Sequence, residues 1–133
     1  MNNNILALDI GDKQTGVAVL NTILAISLES LETTKLLEFI QNYALQKKIQ
    51  KIIIGLPVND DGSENEQCQK IRNWAEKIDI LGEFEIIFEN EFLSSIEAQN
   101  NLRVLGLSPK EIKIKEHSEV ARILLEQYLK NVS

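Results

Sequence analysis

Apolar positions change their spacing several times along the chain, and each change marks an element. "NILALDI" (4–10) is an almost unbroken apolar run ended by Gly11, the pattern of a buried strand. "TGVAVLN" and "ILAISLE" are two more strand-like runs with a short gap between them, which predicts an antiparallel meander. From about Thr34 to Lys47 the period lengthens. Leu36, Leu37, Ile40, Tyr43 and Ala44 recur at three and four, which predicts a helix. "KIIIGLP" returns to a β-branched strand and stops at Pro57. "NDDGSENE" reads as a turn leading into a helix, with Ser63 and Glu66 at capping-box spacing and Ile71, Trp74, Ala75 and Ile78 as its apolar face. "FEIIFE" is a further strand. Ser94 and Glu97 offer a second capping box, opening a helix to about Leu105, and Gly106 is a helix stop. "SPKE" opens another helical turn with Pro109 in its first position, and a last helix is expected from about His117 to Lys130.

The order is three strands, helix, strand, helix, strand, then helices. Two strand–helix–strand crossovers imply parallel pairing, and the opening meander implies antiparallel pairing. The expected fold class is therefore α/β, a mixed five-stranded sheet with helices on its faces. The 133 residues suit one domain over 1–133, with no linker or repeat in the pattern. The single cysteine, Cys68, excludes an intrachain disulfide and fits a reducing, cytoplasmic setting. No apolar stretch approaches the roughly 20 residues of a membrane span, and "MNNN" lacks a signal-peptide pattern. The net charge of −6 argues mildly against a nucleic-acid partner, unless several of the acids sit together around metal ions.

Asp9 changes the picture. It is a lone carboxylate near the end of the most strand-like segment, and burying it unpaired costs several kcal/mol. Ligands of open α/β sheets gather at the carboxyl ends of parallel strands. Three strand ends carry candidates: Asp9, the run Gly55 to Asn59, and Glu89-Asn90-Glu91. Clustered acids of this kind suit Mg²⁺ or Mn²⁺. On spacing alone, Asp9 serves equally well as a turn cap accepting N–H bonds from Gly11 to Lys13. His117, the one histidine, extends the apolar face of Val120, Ala121, Leu124 and Tyr128, where packing or a helix-end role is the commoner use. Glu116 and Glu119 fall off that stripe and are expected in solvent. Asp60-Asp61-Gly62 reads as turn chemistry. The lysines at 47, 48 and 51, and those at 110, 113 and 115, read as solvated surface with phosphate contact as the alternative.

Four segments, taken in order, resemble one family. "LALDIGDKQTGVAV" is similar to the opening of the bacterial YqgF (RuvX) family, Holliday-junction resolvases also described as nucleases for the small-subunit ribosomal RNA precursor. "KIIIGLPVNDDGSENEQ" resembles its GLPxNxDGSExEQ segment, "ENEFLSSIEA" its DERL(S/T)(S/T)xEA segment, and "HSEVARILLEQYL" its final helix. The resemblance implies an RNase H-like nuclease domain with a two-metal site. By position it assigns catalytic and metal-binding roles to Asp9, Glu91 and His117, the last standing where the family usually has Asp. Asp9 would bridge two Mg²⁺ or Mn²⁺ ions, Glu91 would hold one and orient water, and His117 would act as ligand or general base. Gly11, Lys13 and Asn59 are the implied substrate-binding residues, with Gly11 and Gly16 keeping the turn open to a phosphate backbone. Gln14, Asn90 and Phe92 replace the family's Arg, Asp and Arg. The implied partners are structured RNA, most directly precursor 16S ribosomal RNA and its ribosomal precursor particles, with branched DNA as the alternative substrate. A weakly catalytic nucleic-acid-binding or ribosome-binding protein is the alternative from another class, and in either case the chain is expected as a monomer or homodimer.

Overall fold

A computed structural model describes residues 4–132, the side chain of Phe92 excepted. The reading of "MNNN" as leaderless falls, for residues 1–3, outside the described residues. Among the described residues four strands come first, helices and strands then alternate, and two helices close the chain: β1 (Ile5–Ile10), β2 (Gln14–Asn21), β3 (Leu24–Ser27), β4 (Leu31–Glu32), α1 (Leu36–Lys47), β5 (Lys51–Leu56), α2 (Glu66–Asp79), β6 (Glu85–Asn90), α3 (Phe92–Val104) and α4 (Pro109–Val132). The sheet runs β3-β2-β1-β5-β6. β1 pairs antiparallel with β2 and parallel with β5, and β5 pairs parallel with β6, so the mixed α/β sheet expected from the pattern is present. The two-residue β4 is an addition: it pairs with β2 beyond β3, through Gln14–Glu32 and Thr15–Leu31.

Alternation along β1 decides which residue faces which layer. Leu6, Leu8 and Ile10 pack with Leu36 and Ile40 of α1 and Cys68, Ile71 and Ile78 of α2. Ile5 and Ala7 face the other way, against Ala121, Leu125 and Tyr128 of α4. Asp9 shares the parity of Ile5 and Ala7, so its carboxylate belongs to the α4 face. α3 joins α4 through Ala98, Val120, Ile123 and Leu124.

Three boundaries differ from expectation. The N-cap of α2 is Asn65, whose side chain accepts from Cys68 N, because Ser63 is spent on Asp61 in the preceding turn. Ser94 lies inside α3, buried and hydrogen-bonded to Gln127 of α4, so it packs helix on helix and caps nothing. The two C-terminal helical segments are one helix of 24 residues. Its start is a reciprocal box in which Glu111 N donates to Ser108 Oγ and Ser108 N to Glu111 Oε1. The Asp60-Asp61-Gly62 turn forms as read, with Gly62 at φ +87°.

Candidate active site

Asp9 sits near the carboxyl end of β1, opposite Gly16 of β2. A Cβ at residue 16 would overlap the backbone carbonyl of His117. The missing side chain therefore lets α4 press its backbone onto β2, and that approach brings the His117 ring to Asp9. His117 Nδ1 lies 2.6 Å from Asp9 Oδ2. Gly11 admits the same ring: a Cβ there would stand 2.8 Å from His117 Cε1. The expectation that Gly11 and Gly16 hold the turn open is corrected, since the space each leaves is filled by α4. The β1–β2 turn is instead tied down from the side, where Thr33 Oγ1 donates to Gly11 O at 2.7 Å and pairs with Thr15 Oγ1 at 2.8 Å.

Glu91 follows β6 directly and occupies the N-cap of α3, its N–H bonded to Leu56 O and its carbonyl accepting from Ser95 N. Its carboxylate lies over Gly55, where any Cβ would collide with Oε2. Asp9 and Glu91 are each only 6% exposed. Burial, then the charge of Asp9 and a hydrogen bond to it, push the Glu91 carboxyl up to about 9. Without a cation, Glu91 therefore carries a proton at neutral pH. The hydrogen bond to Asp9 raises His117 above the usual imidazole range, against the lowering effect of burial. Asp9 thus sits between two groups that each hold a proton beside it. It does not cap the turn.

Glu116 belongs to this site as well. Its charge contributes to the upward shifts of both Glu91 and His117, and Gln99 Nε2 holds its carboxylate at 3.3 Å. Glu116 is half-buried and its hydrogen bond to Gln99 lies at the surface, so it keeps solvent contact as expected while standing beside the site through α3, a contact with no local signal. Glu119 is corrected: it is paired with Arg122 and Asn101. Lys13 is exposed beside His117 in a cavity of about 600 Å³. Asn59 lies in the β5–α2 loop, where its amide donates to Ser63 Oγ and accepts from Asn65 Nδ2. The structure therefore unites Asp9, Glu91, His117 and Gly11, sets Lys13 at the rim, and gives Asn59 a loop-holding role.

The donor set fits a hard divalent cation. Glu91 Oε2 is buried with no hydrogen-bond partner, and two carboxylates crowd together at a cost that a cation would relieve. Among the described residues no three His, Cys, Asp or Glu side chains are grouped closely enough to form a metal centre as they stand, and Asp9 is engaged directly by His117.

The fold is the RNase H-like one, and the cluster of Asp9, Glu91 and His117 is carried on it. The sequence model of the RuvX family, described as a Holliday junction resolvase, matches residues 3–131, so the chain belongs to the RuvX family. Relatives named "Putative pre-16S rRNA nuclease" include one from Maridesulfovibrio salexigens, 32% identical with 94% of this chain and 96% of that protein covered. Another, from Bacteroides fragilis, is 32% identical with 96% of each covered. One from a Picosynechococcus strain is 33% identical, with 93% and 90% covered. Among solved structures, the Thermus RuvC titled "T. thermophilus RuvC in complex with Holliday junction substrate" superposes with a TM-score of 0.61 at 12% identity, covering 97% of this chain and 95% of that one. That likeness establishes the fold.

Proposed function

We propose that this chain is a divalent-metal-dependent nuclease that hydrolyses phosphodiester bonds in precursor 16S ribosomal RNA, acting in the cytoplasm on RNA or its ribosomal precursor particles. The observation that carries the reading is the convergence of buried Asp9 and Glu91, from β1 and the β6–α3 junction, with the half-buried His117 of α4. The names of the full-length relatives supply the RNA.

Asp9 and Glu91 would hold Mg²⁺ or Mn²⁺. Such ions, when bound as a pair, activate a water and stabilise the leaving oxygen of the phosphodiester. Asp9 also orients His117: with Nδ1 donating to Asp9, the tautomer is fixed and Nε2 is the nitrogen left to exchange a proton with water or substrate. His117 is thus the acid–base group of this site, a role its shift toward the protonated form supports. Lys13 contacts a phosphate of the substrate, and Gly11 lets the backbone and the imidazole approach each other closely. Asn59 fixes the loop on the α2 side of the site.

The test is cleavage of labelled precursor RNA, single-stranded RNA and four-way DNA junctions in Mg²⁺ or Mn²⁺, with Asp9→Asn run in parallel. The expected result is metal-dependent cutting of the precursor that Asp9→Asn lowers by at least ~100-fold, the scale of losing a group that stabilises transition-state charge. Preferred cutting of the junction would favour the second reading, a resolvase of branched DNA, which the family's description supports. Binding without cutting of any substrate would leave a non-catalytic RNA-binding protein.

A further inference from the structure

The chain carries a net charge of −6, yet one groove at the site is lined with lysine. The cavity of about 600 Å³ runs between the β1–β2 turn and the first half of α4. Lys13, Gln14 and Ser30 wall one side, Lys110, Lys113 and Ile114 the other, and His117 is part of the wall. Residues 110, 113, 114 and 117 form one stripe of the helix, about 10 Å long at 1.5 Å per residue. No carboxylate lines this groove, and Lys13, Lys110 and Lys113 form no ion pair among the described residues. On the α3 side a second cleft of about 490 Å³ contains Arg103 and shares Lys113 and His117, so these two side chains stand on the crest between the clefts.

The other lysine-bearing cleft, beside α2, differs. There Lys70 faces Asp12 at 3.7 Å and Lys77 covers the ring of Trp74 at 4.8 Å. Its cations already have partners. Three unpaired ammonium groups around a concave wall attract a polyanion, and a phosphodiester strand gains most because its condensed counterions are released. Ile114, 62% exposed in the same wall, offers an apolar surface to a sugar or base.

We propose that this groove is the channel along which one nucleic-acid strand enters the site, with Lys13, Lys110 and Lys113 each holding a phosphate next to the bond presented to His117. The proposal rests on the nuclease reading above and deepens it by naming the strand's path. The path crosses α4 and leaves the α2 cleft free.

The experiment is equilibrium binding of the full chain in EDTA to two fluorescein-labelled probes, a precursor-RNA hairpin and a four-way DNA junction, over a range of salt. The double variant K110Q/K113Q is compared with K35Q/K47Q, which removes the same charge from the N-cap and the last residue of α1 on the opposite face of the sheet; circular dichroism confirms that both fold. For K110Q/K113Q the slope of log K against log salt should fall by about 1.5–2, at 0.7–0.9 per phosphate contact, with binding weakened about tenfold at low salt. K35Q/K47Q should keep the wild-type slope. A loss confined to one probe assigns the groove to that nucleic acid. An unchanged slope in K110Q/K113Q, or an equal fall in K35Q/K47Q, would overturn the proposal. The nuclease reading fails by a separate sign: wild-type protein that binds the probes with the full slope but cuts neither in Mn²⁺ leaves the groove standing as a binding site without catalysis.

Discussion

At the scale of single residues, Asp9 carries the site. One of its carboxylate oxygens meets His117 Nδ1 at 2.6 Å, and its charge and hydrogen bond add to burial, the larger cause, in favouring the protonated Glu91. Asp9→Asn therefore does more than remove a metal ligand. The largest cause of the raised His117 pKa disappears, so the imidazole should titrate lower in this variant, read from its ring resonances by NMR. Its burial, which acts in the lowering direction, remains. His117→Ala should keep cation binding while cutting turnover by ~10²–10⁴-fold, the range of a positioned acid–base group, measured under single-turnover conditions with the precursor RNA. A loss of metal affinity equal to that of Asp9→Asn would instead make His117 a ligand.

At the scale of elements, the site depends on how closely α4 lies on β2. Gly16→Ala places a methyl group on the His117 carbonyl, so the helix must move away. Overpacking of this kind costs ~1–3 kcal/mol. Chemical denaturation should show that loss, and activity should fall with it because the Asp9–His117 pair is pulled apart. Ser108→Ala removes one half of the reciprocal cap that starts α4, and should cost ~1 kcal/mol. Most elements were legible because their apolar spacing repeats over several turns or along a strand. The exceptions have local causes. β4 is two residues long and gives no period. Ser63 and Ser94 have capping spacing, but a nearer partner in space takes each hydroxyl. The helical turn expected at Pro109 and the helix expected from His117 are one helix, which runs on through the polar stretch between them.

At the scale of the whole molecule, the buried cluster couples stability to pH. Glu91 and His117 both have folded pKa values above their unfolded ones, so the folded chain keeps protons that the unfolded chain releases. That stabilisation is complete below the unfolded pKa of the carboxyl, 4.5, and is lost as pH rises toward about 9. In EDTA, the melting temperature should fall between pH 5 and pH 9, by at least ~5 °C, the order expected for one or more kcal/mol in a domain of this size. Mg²⁺ or Mn²⁺ should raise the melting temperature most at alkaline pH, where Glu91 no longer needs to release a proton to bind it. Glu91→Gln should flatten most of the decline in EDTA. A melting temperature independent of pH would show that Glu91 is ionised in the folded chain without a cation.

The amino-acid sequence by itself determined the strand and helix order, the mixed sheet and the two acids at strand ends. Periodicity and strand-end position are local properties, and the four family-like segments remain recognisable despite their departures at Gln14, Asn90, Phe92 and His117. Only the tertiary structure decided that Asp9 faces α4, that Gly16 and Gly55 make room for His117 and for the Glu91 carboxylate, and that Glu116 and the lysines of α4 border the same site. Those relations join residues up to 108 positions apart. They depend on how closely a helix can approach a sheet where side chains are missing, and no spacing along the chain records that distance.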